Sequence, residues 1–270
     1  MQVRADLHTH STASDGQYAP AELVQLAKKR AVQVLALTDH DTIAGLEEAV
    51  CAGEEMDLQV LRGIELSAKE NRGLHILGYC FDCETPALLD LCEKLREGRE
   101  ERKYRLIDFL REKGAILSLD EVEEIAGGDI IARPHFAQAL VRRGYVATVR
   151  EAFDRYLDTE EYQRIERFKP SACACVEAIC GAGGKAALAH PYQLKLSDER
   201  VETIVKELAG CGLAAIECYY PEHTPAQTKF YLHLAEKYGL HVTGGSDFHG
   251  ERIKPDTAIA TLPLHLDWLL

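Results

Sequence analysis

The stretch Asp6-Leu-His-Thr-His10 places two histidines, two residues apart, at the end of a short apolar run. In an extended backbone, side chains at positions i and i+2 point to the same side, so the rings of His8 and His10 share one face. Two neutral imidazoles on one face are half of a binding site for divalent zinc, manganese or iron. The stretch therefore predicts a β-strand that ends in metal ligands.

Similar clusters of histidine and carboxylate follow other short apolar runs. Seven such runs predict strands, at residues 3–7, 34–37, 60–64, 74–78, 185–189, 214–217 and 241–245. Amphipathic segments with apolar residues at helical spacing predict helices between them, at 20–30, 43–53, 198–209 and 225–238. The alternation of strand and helix predicts a parallel sheet.

The polar residues at the ends of these strands form a regular series. Its members are His8, His10, His40, Glu65, His75, His190, Glu217 and Asp247. In α/β barrels the active site lies at the C-terminal ends of the strands, where loops from every unit converge. We therefore predict the α/β class and a distorted seven-stranded β/α barrel. Of Asp39 and Asp41, which flank His40, one is expected to orient an imidazole and the other to cap the next helix.

The middle of the chain has a different pattern, almost wholly helical and strongly charged. We expect a barrel split between residues 1–85 and 182–270. Residues 86–181 are expected to form a helical insertion that covers the mouth of the active site.

The insertion contains the cluster Ala132-Arg-Pro-His-Phe136, in which Pro134 is predicted to begin a helix that runs to Arg143. A guanidinium group binds phosphate oxygens through two parallel bonds, and the free amides of a helix start bind the same anion. Arg133 and His135 are therefore predicted to bind a substrate phosphate. The alternative is that Arg133 pairs with a surface carboxylate.

Composition limits the classes of partner. The formal net charge of -13 argues against duplex nucleic acid as a partner, because proteins that bind it without sequence preference need a positive surface. The chain has no signal-peptide pattern and no run of about 18 apolar residues, so a cytoplasmic protein without membrane contact is expected. Its nine cysteines are then expected to be reduced thiols. The sequence does not indicate an oligomeric state.

The motifs resemble those of the polymerase and histidinol phosphatase (PHP) superfamily of metal-dependent phosphoesterases. In chain order they are Asp6-Leu-His-Thr-His-Ser-Thr-Ala-Ser-Asp-Gly16, Leu37-Thr-Asp-His-Asp-Thr42, Gly63-Ile-Glu-Leu66, His75-Ile-Leu-Gly78, Ala189-His-Pro191 and Gly245-Ser-Asp-Phe-His249. The resemblance implies two or three divalent ions, for which manganese, iron and zinc are all suitable. It implies one ion held by His8, His10, Glu65 and Asp247, a second held by Glu65, His75 and His190, and a third held by Asp15, His40 and His249. Glu65 would then bridge two ions.

This arrangement also suggests a reaction. A water shared between two cations is acidified from a pKa of about 15.7 toward neutrality, so a metal-bridging hydroxide is the expected nucleophile. Glu65 would hold the ions, and Asp247 or His249 would move protons. The resemblance implies hydrolysis of a phosphomonoester of a small phosphorylated metabolite, preferably a 3′,5′-nucleoside bisphosphate. The alternatives are histidinol phosphate, short oligonucleotides degraded from one end, and a non-catalytic metal-binding regulatory domain.

Overall fold

The structure of the chain, a computed structural model, describes residues 2–126, 131 and 133–270. Among these residues the strands are β1 (Gln2–Thr9), β2 (Val34–Leu37), β3 (Gln59–Ser67), β4 (His75–Tyr79), β5 (Lys185–Leu188), β6 (Ala215–Tyr219), β7 (His241–Gly244) and β8 (Leu262–His265). The α-helices are α1 (Pro20–Lys29), α2 (Leu46–Glu55), α3 (Pro86–Glu112), α4 (Leu119–Ala126), α5 (Arg133–Arg142), α6 (Val149–Ala152), α7 (Glu160–Gln163), α8 (Ala172–Gly181), α9 (Asp198–Gly210) and α10 (Pro225–Tyr238).

The described strands form one sheet in the order β7-β6-β5-β4-β3-β2-β1-β8. Strands β1 to β3 pair in parallel, and so do β5 to β7, whereas β4 is antiparallel to both its neighbours and β8 is antiparallel to β1. A bridge between Thr9 and Phe248, and a 2.8 Å hydrogen bond from the Asp247 amide to the His8 carbonyl, join the segment after β7 to β1. The sheet therefore curves into a nearly closed barrel, which confirms the predicted α/β barrel class.

Two details of the predicted sheet are wrong. An eighth strand, β8, pairs with β1. It was missed because it is four residues long, contains Pro263 and ends in no cluster of ligands. The wholly parallel arrangement fails at β4, because residues 68–74 are too few for the crossover that two parallel strands require.

The direction of β4 changes the position of His75. This residue is the first of its strand, so the prediction that each cluster lies at the C-terminal end of a strand is wrong for His75. Because β4 runs antiparallel to β3, His75 pairs with Ser67 at the edge where β3 ends. The imidazole of His75 therefore lies at the same edge of the sheet as the other predicted ligands.

The apolar residues of the strands form a continuous buried cluster. Its members are Ala5, Leu7, Val34, Ala36, Leu61, Leu77, Tyr79, Ala187, Ala189, Ala215, Leu264 and Leu266. Helix α1 begins with Pro20, as favoured at a first helical position, and buries Leu23, Val24 and Ala27. Burial of this interior provides the main driving force for a fixed barrel that can hold polar side chains at its rim.

The chain divides into two compact units. The first contains Met1–Cys92 and Lys169–Leu270, with all the described strands, and the second contains Glu93–Phe168. The second unit has its own apolar core, which includes Leu110, Phe136, Leu140, Leu157 and Tyr162. The unit boundaries fall inside α3 and just before α8, whereas the borders expected from the sequence, 85/86 and 181/182, stay a prediction.

Helix α3 is 27 residues long and carries ion pairs between neighbouring turns, such as Arg105 with Glu101 at 3.0 Å. Within the described ranges, no helix combines the length and the apolar character needed to span a bilayer.

One pair of cysteines departs from the expected reduced state. Cys173 in α8 and Cys211 at the end of α9 form a disulfide, with their Cα atoms 5.6 Å apart. The two residues are 38 positions apart and belong to no motif, so only the packing of α8 against α9 brings them together. The expectation of free thiols is therefore wrong for this pair.

Candidate metal centre

The end of β1 is fixed by contacts with the loop that follows β7. Asp6 is fully buried and accepts hydrogen bonds from the Ser246 amide at 2.9 Å and the Ser246 hydroxyl at 2.6 Å. A Cβ atom at Gly245 would lie 2.3 Å from the Cβ of His8, so this close approach requires glycine. The pairing of β1 with β2 also shifts register between Asp6 and Thr9, an irregularity common beside active sites.

His8, His10, Glu65 and Asp247 converge at this edge, and we call them the first donor group. Nε2 of His10 lies 3.1 Å from Oδ1 of Asp247 and 3.2 Å from Oε2 of Glu65, and Nε2 of His8 lies 3.2 Å from the same glutamate oxygen. All four side chains are buried, yet both Nε2 atoms and Oε2 of Glu65 make no hydrogen bond within the described chain. Buried polar atoms are nearly always paired, and a shared cation would satisfy these three together. The first donor group therefore fits a divalent metal ion.

Glu65 divides its two oxygens between neighbouring groups. Oε2 faces the first donor group and lies 3.0 Å from Nδ1 of His40. Oε1 lies 2.8 Å from Nδ1 of His75 and 2.9 Å from Nε2 of His190, and we call these three residues the second donor group. The possible donor atoms of His40, Glu65 and His75 also lie within 4.8 Å of one another. A carboxylate with one oxygen in each group has the geometry needed to bridge two ions.

A third donor group contains Asp15, His40 and His249, together with His10. Nε2 of His249 lies 3.3 Å from Oδ1 of Asp15, and Nε2 of His40 lies 3.9 Å from its Oδ2. Nδ1 of His249 lies 2.8 Å from the carbonyl oxygen of Asp247, which only accepts, so Nδ1 carries the proton and Nε2 is left as a donor to a cation. The Asp15 side chain is 37% exposed, which makes this group the most open of the three.

The structure thus brings the predicted metal ligands together at one edge of the barrel. They are His8, His10, Asp15, His40, Glu65, His75, His190, Asp247 and His249. The mixed imidazole and carboxylate donors suit manganese, iron or zinc better than calcium or magnesium.

The protonation of the histidines follows from burial and charge. Burial by itself lowers the pKa of His8, but nearby carboxylates, Glu65 foremost, outweigh it and raise that pKa well above its usual range. Burial and the neighbouring His40 lower the pKa of His10, but the carboxylates of Asp247 and Glu65 beside its ring raise that pKa overall. At His75 burial prevails and lowers the pKa to about 4. Without a metal, protons on His8 and His10 therefore balance part of the buried negative charge.

The carboxylates have the opposite tendency. Burial would raise the pKa of Glu65, yet the surrounding imidazoles, His40 first, hold it well below its usual range. The same opposition of burial and imidazole charge lowers the pKa of Asp247, mainly through His8, and of Asp15, mainly through His40. All three carboxylates are therefore ionised at neutral pH and available to a cation.

Metal binding is expected to release protons and to tighten as pH rises. His8 and His10 have raised pKa values without metal, but they must be neutral to donate to an ion. The dissociation constant for Mn²⁺ should therefore fall as pH increases through the region where these histidines lose their protons. Isothermal titration calorimetry in buffers of different ionisation enthalpy measures the release, and a pH-independent affinity with no proton released would contradict this assignment.

Glu217 is a buried site residue to which sequence reasoning gave no role. Its Oε1 lies 3.2 Å from Nδ1 of His8, and its Oε2 accepts a 2.7 Å hydrogen bond from the His190 amide. A carboxylate on Nδ1 fixes the tautomer that leaves Nε2 of His8 as a metal donor. Its position at the end of β6 was a usable signal, but the partner it orients depends on the closure of the barrel.

Asp39 and Asp41 both accept hydrogen bonds from serine residues. Asp39 accepts hydrogen bonds from the amide and hydroxyl of Ser11, at 2.8 and 2.6 Å, and from the Ser14 hydroxyl. Asp41 accepts from the amide of Ser67 at 2.8 Å. The residue that caps α2 is Gly45, so the predicted cap is wrong, and Asp39 braces the loop after β1 instead.

Two of the predicted ligands have unusual backbone conformations. His190 has φ of 22° and Asp247 has φ of 53°, in the left-handed region that residues with a Cβ seldom occupy. Such strain persists where surrounding contacts hold it, and it clusters at functional sites.

The two predicted phosphate-binding residues, Arg133 and His135, belong to the second unit, in α5. NH1 of Arg133 forms a 2.9 Å ion pair with Asp158, and its guanidinium carbon lies 5.5 Å from the centre of the Phe153 ring. Burial lowers the pKa of His135. The surface ion pair that sequence reasoning kept as the alternative is thus present, and a role in phosphate binding stays a prediction. Ala132, in the same cluster, lies outside the described residues.

Comparison with known proteins gives a consistent result. The family model described as PHP domain matches residues 6–166. The chain is 35% identical to a 5'-3' exoribonuclease of Haemophilus influenzae over 92% of this chain and 91% of that protein. It is 35% identical to a 3',5'-nucleoside bisphosphate phosphatase of Chromobacterium violaceum over 90% and 86%. It is 34% identical to a phosphoribosyl 1,2-cyclic phosphate 1,2-diphosphodiesterase of Eggerthella lenta over 91% and 94%.

Two solved structures share the fold at similar levels of identity. An amidohydrolase from Chromobacterium violaceum, with bound sulfate and no metal, superposes with a TM-score of 0.83 at 32% identity over 97% of this chain and 92% of that chain. A protein from Bifidobacterium adolescentis described as a metal-dependent phosphoesterase superposes with a TM-score of 0.81 at 30% identity over 97% and 93%.

Proposed function

The chain belongs to the PHP domain family and is a metal-dependent phosphoesterase, and from this premise we propose that it removes a phosphate from a small nucleotide, preferably a 3′,5′-nucleoside bisphosphate. The observation that carries the proposal is Glu65, whose two oxygens face two different donor groups. Paired cations at such a glutamate suit hydrolysis of a phosphoester.

We propose that the first and second donor groups hold one ion each and that the third holds a further ion. When bound, these ions would supply a nucleophilic hydroxide and neutralise phosphoryl oxygens. Within this scheme Glu65 sets the spacing of the ions, and Glu217 holds His8 in the donating tautomer.

His249 and Asp247 are the residues that we propose for proton transfer. Nδ1 of His249 lies 3.4 Å from Oδ1 of Asp247, and both side chains are nearly buried. In protein that holds only the first two ions, Nε2 of His249 would not bind metal and would instead pass a proton to the leaving oxygen, from the side where Asp15 opens to solvent. Asp247, ionised because its pKa is depressed, would take the proton from the attacking water.

The preferred substrate rests on the bisphosphate phosphatase relative and on the predicted phosphate role of Arg133. Two relatives named for other phosphoesters keep the substrate class open. Short oligonucleotides degraded from one end are therefore the second candidate. Histidinol phosphate is a weaker one, because its amine would require acidic rather than basic residues.

The test is hydrolysis by protein reloaded with manganese, with metal-free protein as the control. Turnover is followed as released phosphate for the phosphomonoesters, and by chromatography of the products for the oligonucleotides and the cyclic phosphate. The panel contains 3′,5′-nucleoside bisphosphates, mononucleotides, short oligonucleotides, a phosphoribosyl cyclic phosphate and histidinol phosphate. We expect kcat/KM to be highest for a bisphosphate, by about tenfold or more, which corresponds to roughly 1.4 kcal/mol of extra transition-state binding. Preference for an oligonucleotide would replace the proposed substrate, and no turnover of any substrate by metal-loaded protein would contradict the proposal.

Arg133→Ala is expected to raise KM for a nucleoside bisphosphate by about tenfold and to leave KM for an aryl phosphate nearly unchanged. The reason is that a guanidinium contact with a second phosphate contributes about 1.5–3 kcal/mol, and an aryl phosphate lacks that group. Steady-state kinetics with both substrates measures the difference.

Asp158→Asn is the matched control, because it breaks the Arg133–Asp158 ion pair and keeps the arginine. If Arg133 binds phosphate, this variant should keep or lower KM for the bisphosphate. Equal increases in KM for both variants and both substrates would mean that Arg133 acts through its ion pair alone.

A further inference from the structure

The two oxygens of Asp247 have different surroundings. Oδ1 faces the imidazoles of the first donor group, whereas Oδ2 accepts hydrogen bonds from the Tyr220 hydroxyl at 2.8 Å and from Nζ of Lys254 at 2.5 Å. The ammonium of Lys254 thus contacts one oxygen of a member of the first donor group, while the other oxygen of the same carboxylate faces the imidazoles. No motif in the sequence singled out this lysine.

Lys254 is held by a turn that is anchored to the site. Its amide donates to the Gly250 carbonyl at 2.9 Å, and Gly250 has φ of 103°, a conformation suited to glycine. Gln17 fixes the same turn through two hydrogen bonds. Its side-chain oxygen accepts from the backbone amide of Arg252 at 2.9 Å, and its backbone amide donates to the backbone carbonyl of His249 at 2.7 Å. The backbone of Lys254 therefore has a defined position relative to the predicted metal ligands.

The Lys254 side chain also reaches solvent. It is 31% exposed, whereas the Asp247 side chain that it contacts is 5% exposed. A substrate must approach from the solvent side, and there it meets the negative charges of Asp15 and Asp247. A phosphate ester carries negative charge of its own, so a fixed ammonium at this point would offset the repulsion and contact the phosphoryl oxygens.

We propose that Lys254 is a catalytic residue that binds the phosphoryl group of the substrate at the rim of the first donor group. The proposal rests on the proposed phosphoesterase function. In this scheme Lys254 donates a hydrogen bond to Oδ2 of Asp247 in the free enzyme. When substrate is bound, another N–H of the same ammonium group donates to a phosphoryl oxygen.

Binding of inorganic phosphate to manganese-loaded protein tests the proposal, because phosphate is the product of any phosphomonoesterase and its binding requires no turnover. Calorimetry compares wild type with Lys254→Met, which keeps much of the side-chain length and removes the charge. We expect phosphate to bind roughly ten- to a hundredfold more weakly, the usual range for loss of a charged hydrogen bond. Bound manganese, measured by mass spectrometry, should stay at the wild-type level.

Two control variants separate substrate binding from other roles. Arg252→Met removes a positive charge from the same turn, where the side chain is exposed, and should bind phosphate as wild type does. Tyr220→Phe removes the other hydrogen bond to Oδ2 of Asp247 and keeps Lys254. It therefore measures how far a less firmly held Asp247 changes the metal content and the phosphate affinity.

Equal phosphate affinity in wild type and Lys254→Met would overturn the proposal, even if the enzyme hydrolyses nucleotides. It would also be overturned if Lys254→Met lost manganese in parallel with Tyr220→Phe, because the lysine would then only position Asp247. Failure of wild type to hydrolyse any phosphomonoester would contradict the proposed function, and the phosphate titration would still decide the role of Lys254.

Discussion

Glu65→Gln is expected to reduce kcat by about a thousandfold or more and to leave the protein with less bound metal than wild type. The substitution keeps the shape of the side chain but replaces one of its oxygens by an NH2 group, which has no lone pair for a cation. In wild type both oxygens are used, Oε2 toward His8 and His10 and Oε1 toward His75 and His190. Either orientation of the amide therefore removes a donor from one group. A thousandfold loss corresponds to about 4 kcal/mol, within the several kcal/mol that bound metals contribute to a phosphoester transition state.

The measurements are kcat for the best substrate and metal content by mass spectrometry. Glu217→Gln is a matched control, because Glu217 is also a fully buried glutamate but contacts an imidazole nitrogen of His8 that faces away from the donor group. Loss of such an orienting carboxylate usually lowers metal affinity or activity by about 10- to 100-fold. Near-normal turnover with full metal content in Glu65→Gln would exclude a bridging glutamate. Equal losses in both variants would mean that Glu65 has no special position.

The strands and the convergence of the predicted ligands could largely be foreseen because their signals are local. A short apolar run followed by His8 and His10 reports both a strand and the chemistry at its end, and the same holds for Glu65 and Asp247. The direction of β4 also had a local signal, the short connection at residues 68–74, but the alternating pattern was given more weight. His75 reached the site because of the strand direction that the pattern missed.

The rest depends on tertiary contacts. Glu217 orients His8 only because the sheet curves round and joins the segment after β7 to β1. Lys254 contacts Asp247 because the turn that begins at Gly250 folds the loop after β7 back on itself. Glu217 and His8 are 209 residues apart, so no spacing rule indicates that pair. Lys254 and Asp247 are seven residues apart, but nothing in the spacing indicates that the turn between them brings the two side chains into contact. The disulfide between Cys173 and Cys211 could not be predicted from the sequence either, because it forms only where two helices pack together.

Asp247→Asn is expected to lower kcat/KM by a factor of at least about a hundred, although aspartate and asparagine have nearly the same shape. The direction of the amide is decided by its neighbours. Tyr220 and Lys254 both donate to Oδ2, so the asparagine carbonyl must occupy that position, and the NH2 group must turn toward His8 and His10. An NH2 group at that position cannot bind a cation and cannot accept a proton from water.

The variant should therefore lose metal as well as turnover, and thermal melts with and without Mn²⁺ distinguish this outcome from simple unfolding. A ligand that binds only the folded state raises the melting temperature, so wild type should be stabilised by Mn²⁺ and Asp247→Asn should respond less. Asp256→Asn makes the same change at an exposed position in the same loop and should behave as wild type. If Asp247→Asn kept the full Mn²⁺ stabilisation but lost turnover, Asp247 would act on protons rather than as a ligand, and the first donor group would reduce to His8, His10 and Glu65.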